Sequence, residues 1–243
     1  MRRSEREARP RAFLACGNNR DLGSIRSSGD QTAVMKRSWI QRIGYDISGI
    51  GFLTIARIFC RTRIFGREQS RIEGGVLVCS NHQSFLDPII IGMTCRRRLS
   101  FLARESLFRN WLLARLMSFY GSFPIQREGM GIGGLKETLK RLKRGNAVLI
   151  FPEGTRTVDG SLRELKPGFC SLVRRGKVPI LPVAMSGAYE AWPRDKKLPR
   201  LSKINVCFGE PIHQADIRDI TDEQLVTLLT ERIAACLAQA SSA

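Results

Sequence analysis

His82 and Asp87 are the residues of this sequence whose types and spacing most directly indicate catalysis. They stand five positions apart in a polar segment that separates two apolar runs, 75–79 and 89–93. A carboxylate that holds a neutral imidazole selects its tautomer and stabilises the imidazolium that forms, which gives a base that works near neutral pH. We therefore expect His82 to be a general base oriented by Asp87. The alternative for an isolated pair of this spacing is a loop histidine bonded to a helix cap.

The two apolar runs predict the elements that must position this pair. Residues 75–79 are typical of a buried strand, and the second run follows Pro88, which favours the first turn of a helix. Asp87 is then either the N-cap of that helix or the partner of Ser84 in a capping box. Residues five apart in a regular helix point about 140° away from each other. His82 is therefore predicted to meet Asp87 in a turn between strand and helix.

Three later segments form a pattern together with this one. The four segments, in order, are NHQSFLD at 81–87, GSFPIQR at 121–127, FPEGTRT at 151–157 and LPVA at 181–184. The set resembles the four ordered blocks of the glycerolipid acyltransferases, and among them it is most similar to the bacterial 1-acylglycerol-3-phosphate acyltransferases. The resemblance covers roughly residues 72–211. It implies the fold and the acyl-transfer chemistry more firmly than it implies the acceptor.

The resemblance also implies which residues surround the substrates. Arg127 and Arg156 are expected to hold the phosphate of the acceptor, because a guanidinium binds phosphate through two parallel hydrogen bonds. Lys166 is a third expected phosphate donor. Arg104 stands where the family usually has a lysine, and a solvated arginine at a strand end is an equal alternative. The resemblance also implies a set of residues that shape the substrate site, namely Asn81, Ser84, Glu153, Gly154 and Thr155.

The composition of the chain divides it into three segments. Residues 1–36 are basic with little apolar periodicity, which predicts a disordered arm. Residues 37–66 carry an apolar stripe interrupted by arginines, with less uncharged length than the roughly 18–20 residues of a membrane span. We expect helices lying in the membrane interface there, with a core helix or a tilted span as alternatives. Residues 67–243 alternate strands and helices and predict an acyltransferase domain of the α/β class, with a mixed sheet layered by helices.

Charge and cysteine content narrow the classes of partner. Forty basic and 22 acidic residues give a net charge of +18, which requires nucleic acid, an anionic membrane surface or phosphorylated substrates as partner. Most aromatic residues lie in apolar runs and not among the basic ones, so no nucleic acid partner is expected. Seven cysteines without a C-x-x-C pair indicate buried, reduced thiols. No metal is expected, since the chain has two histidines.

The expected reaction is transfer of a fatty acyl group from acyl-CoA or acyl carrier protein to the free sn-2 hydroxyl of lysophosphatidate, which gives phosphatidate, with no cofactor. No acyl-enzyme is expected, since Ser84 lacks the flanking glycines of a nucleophile elbow. The expected location is the cytoplasmic face of the inner membrane. Alternatives are glycerol-3-phosphate, another lysophospholipid or an amino-acid lipid as acceptor. From different classes, a nucleic-acid-binding protein or a scaffold without catalysis is less favoured.

Overall fold

The computed structural model describes residues 61–104, 123–125, 132–196 and 198–242. The strands are β1 (Arg63–Phe65), β2 (Val76–Ser80), β3 (Leu99–Arg104), β4 (Phe123–Ile125), β5 (Ala147–Ile150), β6 (Ile180–Ser186) and β7 (Asn205–Phe208). The α-helices are α1 (Asp87–Thr94), α2 (Ile132–Lys143), α3 (Gly168–Gly176), α4 (Ala188–Ala191), α5 (Gln214–Arg218) and α6 (Asp222–Ser241). The predicted arm at 1–36 and the predicted interfacial helices, as far as residue 60, lie outside the described residues.

The seven described strands form one mixed sheet in the order β1-β7-β6-β2-β5-β3-β4. Strand β2 is central and pairs in parallel with β5 and β6, while β7 runs antiparallel to β6. All five residues of β2 are buried, as expected of a strand covered by helices on both faces. The predicted fold class, a mixed α/β sheet layered by helices, is confirmed.

The two faces of the sheet bury separate apolar clusters. Leu77 belongs to one cluster, which includes side chains of α3 and α6, and its neighbour Val78 belongs to the other, which includes Ile90 and Ile91 of α1. Successive residues of a strand point to opposite faces, so one short run supplies both cores. Helix α6 begins with a capping box, in which Thr221 and Gln224 exchange hydrogen bonds. No helix in the described ranges has the length and apolarity needed to cross a bilayer.

Two boundaries differ from the sequence predictions. The segment predicted as membrane-interface helices reaches residue 66, but Arg63–Phe65 is strand β1, which pairs in parallel with β7. A three-residue edge strand is too short to show a two-residue alternation, so its partner 142 residues away decides its conformation. The N-cap of α1 is Leu86, not Asp87, and no side chain caps this helix. Asp87 is instead its first residue, followed by Pro88.

Candidate active site

The turn between β2 and α1 is fastened to the neighbouring strand β6. The side-chain amide of Asn81 donates to the backbone carbonyl of Met185 at 2.9 Å, and the backbone N–H of Met185 donates to Asn81 Oδ1 at 2.8 Å. Asn81 is buried, and its side chain pairs with the backbone of Met185 as a neighbouring strand would. Its contribution to the shape of the site is to fix where the following residue, His82, leaves the sheet.

His82 and Asp87 meet in this turn. His82 Nδ1 lies 2.7 Å from Asp87 Oδ2, and the same oxygen accepts the backbone N–H groups of Gln83 and Ser84 at 2.6 and 2.8 Å. Asp87 is completely buried. Burial raises the pKa of the Asp87 carboxyl above its ordinary value, while the contact with His82 acts in the opposite direction. Three donors, one of which is the imidazole, therefore replace the lost hydration of Oδ2, while Oδ1 is buried and makes no hydrogen bond within the described residues.

The segment at 151–157 contacts His82 at three further points. The imidazole stacks on the ring of Phe151 with centroids 3.9 Å apart and planes 14° from parallel. The backbone N–H of His82 donates to Glu153 Oε1 at 2.8 Å, and its carbonyl accepts the backbone N–H of Thr157 at 2.8 Å. The His82 side chain is still 20% exposed. Phe151 and Thr157 had no predicted role, and their membership of the third block is the one signal that pointed to them.

Glu153 is a second buried carboxyl beside the turn. Burial raises its pKa from 4.5 to about 7, and the nearby charge of Asp87 acts in the same direction. Its Oε2 atom is buried and makes no hydrogen bond within the described part of the chain. The resemblance placed Glu153 in the acceptor site, and the structure places its Oε1 on the backbone of His82. Glu153 thus braces the turn that carries the imidazole.

Arg156 reaches the same turn from the other side. Its guanidinium carbon lies 3.5 Å above the centre of the Phe85 ring, which is a favourable cation–π distance. Phe85 stands three residues after His82. The guanidinium is therefore held against the exposed Phe85 ring at the rim of the turn, with its Nη1 atom buried.

Lys166 is brought to the third block by Gly154. Gly154 adopts a left-handed backbone conformation with φ of +74°, and a Cβ there would lie 3.2 Å from Lys166 Nζ. The backbone N–H of Lys166 donates to the carbonyl of Pro152 at 2.9 Å. The absence of a side chain at Gly154 lets the lysine chain cross the loop. Thr155 lies between this crossing and Arg156, half-buried.

The remaining predicted residues are placed as follows. Ser84 is buried and its hydroxyl donates to the backbone carbonyl of Trp192 at 2.9 Å, so it is bound to the scaffold. Arg104 is the last residue of β3, and its backbone is in register with Ile125 at the end of β4. Since β2, β3, β4 and β5 are parallel, Arg104 ends its strand at the same edge of the sheet as the His82 turn. Arg127 lies outside the described residues.

The described residues contain no group of histidine, cysteine or acidic side chains arranged to hold a metal ion. Their five cysteines are all buried and form no disulfide, and burial of thiols was predicted. The polar groups of the site are therefore an imidazole, two buried carboxyls and the basic side chains of Arg156 and Lys166. Such a set can remove a proton beside a bound anion.

The comparisons with known proteins agree with this chemistry. The family model described as Acyltransferase matches residues 61–186, just over half of the chain, and this chain belongs to that family. It is an acyltransferase, as the four ordered segments predicted.

Relatives and a solved structure extend the similarity. The chain is 28% identical over 172 residues to the 1-acyl-sn-glycerol-3-phosphate acyltransferase of Bacillus subtilis, and the match covers 70% of this chain and 83% of that protein. It is 33% identical over 164 residues to a probable enzyme of the same name from Mycoplasma genitalium, covering 62% of this chain and 61% of that one. The crystal structure of the 1-acyl-sn-glycerophosphate acyltransferase of Thermotoga maritima matches with a TM-score of 0.68 at 21% identity, over 85% of this chain and 84% of that chain. The last match shows that the fold is shared.

Proposed function

We propose that this acyltransferase moves a fatty acyl group from an acyl thioester to the free sn-2 hydroxyl of lysophosphatidate, which gives phosphatidate. The observation that carries the proposal is the 2.7 Å contact between His82 Nδ1 and the buried carboxylate of Asp87, in a turn to which Arg156 is also bound. The names of the relatives from Bacillus subtilis and Mycoplasma genitalium support the choice of acceptor.

In this proposal, one nitrogen of His82 carries out both proton transfers. Because Nδ1 of His82 faces Asp87, Nε2 is the atom left to take the proton of the acceptor hydroxyl. The alcohol oxygen attacks the thioester carbonyl, an ester bond forms and the carbon–sulfur bond breaks. The imidazolium then returns the proton to the leaving thiolate. Transfer is direct, since the hydroxyl of Ser84 is buried and already donates to a backbone carbonyl.

The acceptor is positioned by its phosphate. Arg156 supplies a cation at the turn, Lys166 supplies a second one against Gly154 of the third block, and the resemblance adds Arg104 and Arg127 to the same role. Fixing the phosphate places the sn-2 hydroxyl near Nε2 of His82, and positioning of this kind lowers a barrier by several kcal/mol, up to about 7–11. Glycerol-3-phosphate and other lysophospholipids share the phosphate, so an acceptor panel is the means of separating them. Acyl-CoA and acyl carrier protein offer the same thioester and are compared in the same way.

The site of action that fits this reaction is the cytoplasmic face of the inner membrane. Lysophosphatidate stays in the bilayer, and a chain with a net charge of +18 is attracted to anionic lipid headgroups. Membrane association is therefore part of the proposal. The interfacial helices predicted between residues 37 and 60 are its expected anchor.

The test is thioester consumption by the purified full chain in detergent, with lysophosphatidate and either donor. Replacing His82 with Ala is expected to lower kcat at least 10²–10⁴-fold while the far-ultraviolet circular dichroism and Tm are retained. The matched control is His213→Ala, which removes the only other histidine, an exposed residue before α5. Near-normal activity of the His82→Ala protein would end the proposal, and so would a wild type that consumes thioester with none of the phosphate-bearing acceptors.

A further inference from the structure

Four large apolar side chains are strongly exposed in the described part of the chain. Their exposed fractions are 47% for Phe85, 66% for Val158, 77% for Leu198 and 75% for Leu201. Two belong to the site already described, since Phe85 lies in the His82 turn and Val158 directly follows the third block. The other two lie in one segment between α4 and β7. Exposed apolar side chains gathered in one region of a surface indicate a site of interaction.

That segment, residues 192–203, is here called the leucine loop. It contains neither helix nor strand between Trp192 and Pro199 in its described positions, yet it is fastened at its base. The indole N–H of Trp192 donates to the carbonyl of Lys196 at 2.9 Å, and the backbone N–H of Arg200 donates to the carbonyl of Ala191 at 2.7 Å. These hydrogen bonds give the loop a defined conformation, in which Leu198 and Leu201 are exposed to the solvent.

The charges around the two leucines are almost all positive. Among the described positions of the loop, the exposed basic residues are Arg194, Lys196, Arg200 and Lys203. The loop has a single acidic residue, Asp195, whose Oδ2 lies 3.2 Å from Nζ of Lys196. Apolar side chains on a basic background are the pattern of a surface that inserts shallowly into an anionic bilayer, where the leucines reach the boundary between headgroups and acyl chains and the cations meet phosphates.

Direct contacts join the leucine loop to the turn that carries His82. The carbonyl of Trp192 accepts the hydroxyl of Ser84 at 2.9 Å, and the indole lies 5.8 Å from the Phe85 ring, centre to centre. On the neighbouring segment, the hydroxyl of Tyr189 donates to the carbonyl of Val158 at 2.8 Å. The exposed apolar residues are therefore linked, through a few contacts, to the rim of the acyl-transfer site.

We propose that the leucine loop, together with Phe85 and Val158, is a membrane-contact surface of the catalytic domain that binds anionic lipid. It acts in addition to any anchor in the N-terminal segment. By placing the rim of the His82 turn against the bilayer, it presents the site to acceptors that do not leave the lipid. This last role rests on the proposed function, whereas the binding of lipid by the loop does not.

Vesicle partition of the full chain tests the apolar part of the surface. On vesicles of phosphatidylglycerol and phosphatidylcholine, Leu198→Ser with Leu201→Ser is expected to weaken partition about tenfold. The conservative control, Leu198→Met with Leu201→Met, is expected to match the wild type. Wild-type partition of the serine variant would overturn the proposal, and so would an effect of that variant on oligomeric state in place of partition, since it would assign the surface to a protein partner.

A second pair of variants tests the charges. Arg194→Gln with Arg200→Gln is expected to weaken partition several-fold on the anionic vesicles and little on pure phosphatidylcholine, since each basic residue near an anionic surface contributes measurably to binding. Arg175→Gln with Arg218→Gln removes the same charge from exposed positions on α3 and α5 and is the matched control. Equal losses for the two pairs would show a general charge effect and would overturn the assignment to this loop.

Insertion of the loop is measured directly with a tryptophan placed at position 201. Leu201→Trp is expected to add fluorescence that is quenched by lipids brominated along their acyl chains, whereas Glu231→Trp on the exposed side of α6 adds fluorescence that is not. Absence of extra quenching at position 201 would overturn the proposal. Turnover of detergent-dispersed lysophosphatidate by the serine variant is expected to equal wild type. If the wild type itself shows no turnover, the proposed function fails and the vesicle measurements still decide the surface.

Discussion

Glu153 accepts a hydrogen bond from the backbone N–H of His82 at 2.8 Å, across 71 residues of sequence. Asp87 holds the same histidine by its ring, so the imidazole is oriented by one carboxyl while its main chain is braced by another. The two carboxyls are both buried, and burial raises the pKa of each.

Glu153 is predicted to make stability fall as pH rises from about 5 to 8. Its folded pKa of about 7 lies above the ordinary 4.5, so the folded chain binds the proton more tightly than the unfolded chain does. The contribution of Glu153 to the unfolding free energy is therefore full below the unfolded pKa and is lost as pH rises through the folded pKa. Glu153→Gln keeps an acceptor oxygen for His82 but cannot ionise.

Chemical denaturation at pH 5, 6, 7 and 8 is the measurement for this effect. The stability of Glu153→Gln relative to wild type is expected to rise with pH across that range, because the variant escapes the cost of a buried charge. Glu164→Gln, at an exposed neighbouring position, is the control and is expected to show no such trend. A constant difference between Glu153→Gln and wild type at all four pH values would contradict the prediction.

Asp87 is predicted to act on the chemical step. Asp87→Asn keeps the size of the side chain and one oxygen for the backbone N–H groups of Gln83 and Ser84, but it no longer stabilises the imidazolium. We expect kcat to fall about 10²–10⁴-fold, with KM for the acceptor nearly unchanged. Steady-state kinetics in detergent measure both constants, with Asp195→Asn in an exposed loop as the control. A variant with wild-type kcat would show that Asp87 has only a structural role.

Arg156 is predicted to recognise phosphate. Arg156→Lys keeps the charge but loses the paired donors of the guanidinium, and a hydrogen bond to a charged group contributes about 1.5–3 kcal/mol. We expect kcat/KM for lysophosphatidate to fall about tenfold or more, with a much smaller change for monoacylglycerol, which lacks the phosphate. Arg175→Lys on α3 is the matched control. Equal losses on the two acceptors would remove Arg156 from phosphate binding.

A side chain at Gly154 is predicted to destabilise the folded protein. Gly154→Ala forces a left-handed conformation on alanine, which costs about 1–2 kcal/mol, and it places a methyl group against Lys166. Urea denaturation is expected to show that loss in unfolding free energy. Gly133→Ala in α2, where a Cβ meets nothing within 4 Å, is expected to stabilise the protein by about 0.5–1 kcal/mol. If both variants were equally stable, the strained conformation at Gly154 would carry no cost.

Local sequence was sufficient for much of the site. Strand β2, the turn and the start of α1 were predicted from two apolar runs and a proline, and His82 meets Asp87 inside that short segment. The capping box of Thr221 and Gln224 is a contact of the same local kind, between residues three apart. Even here the cap of α1 was misplaced by one residue, because Asp87 uses its carboxylate on the turn before the helix and leaves the cap position to Leu86.

By itself, then, the sequence determined the kinds of residue available, their order in four segments, and those contacts that neighbouring residues can make. Only the tertiary structure decided that Glu153 holds the backbone of His82, that Ser84 binds the carbonyl of Trp192 108 residues away, and that exposed leucines belong to a loop joined to this turn. The physical reason is the strand order. Parallel pairing of β2 with β5 and β6 brings the loops after these strands to one edge of the sheet, and no local pattern encodes which strands become neighbours.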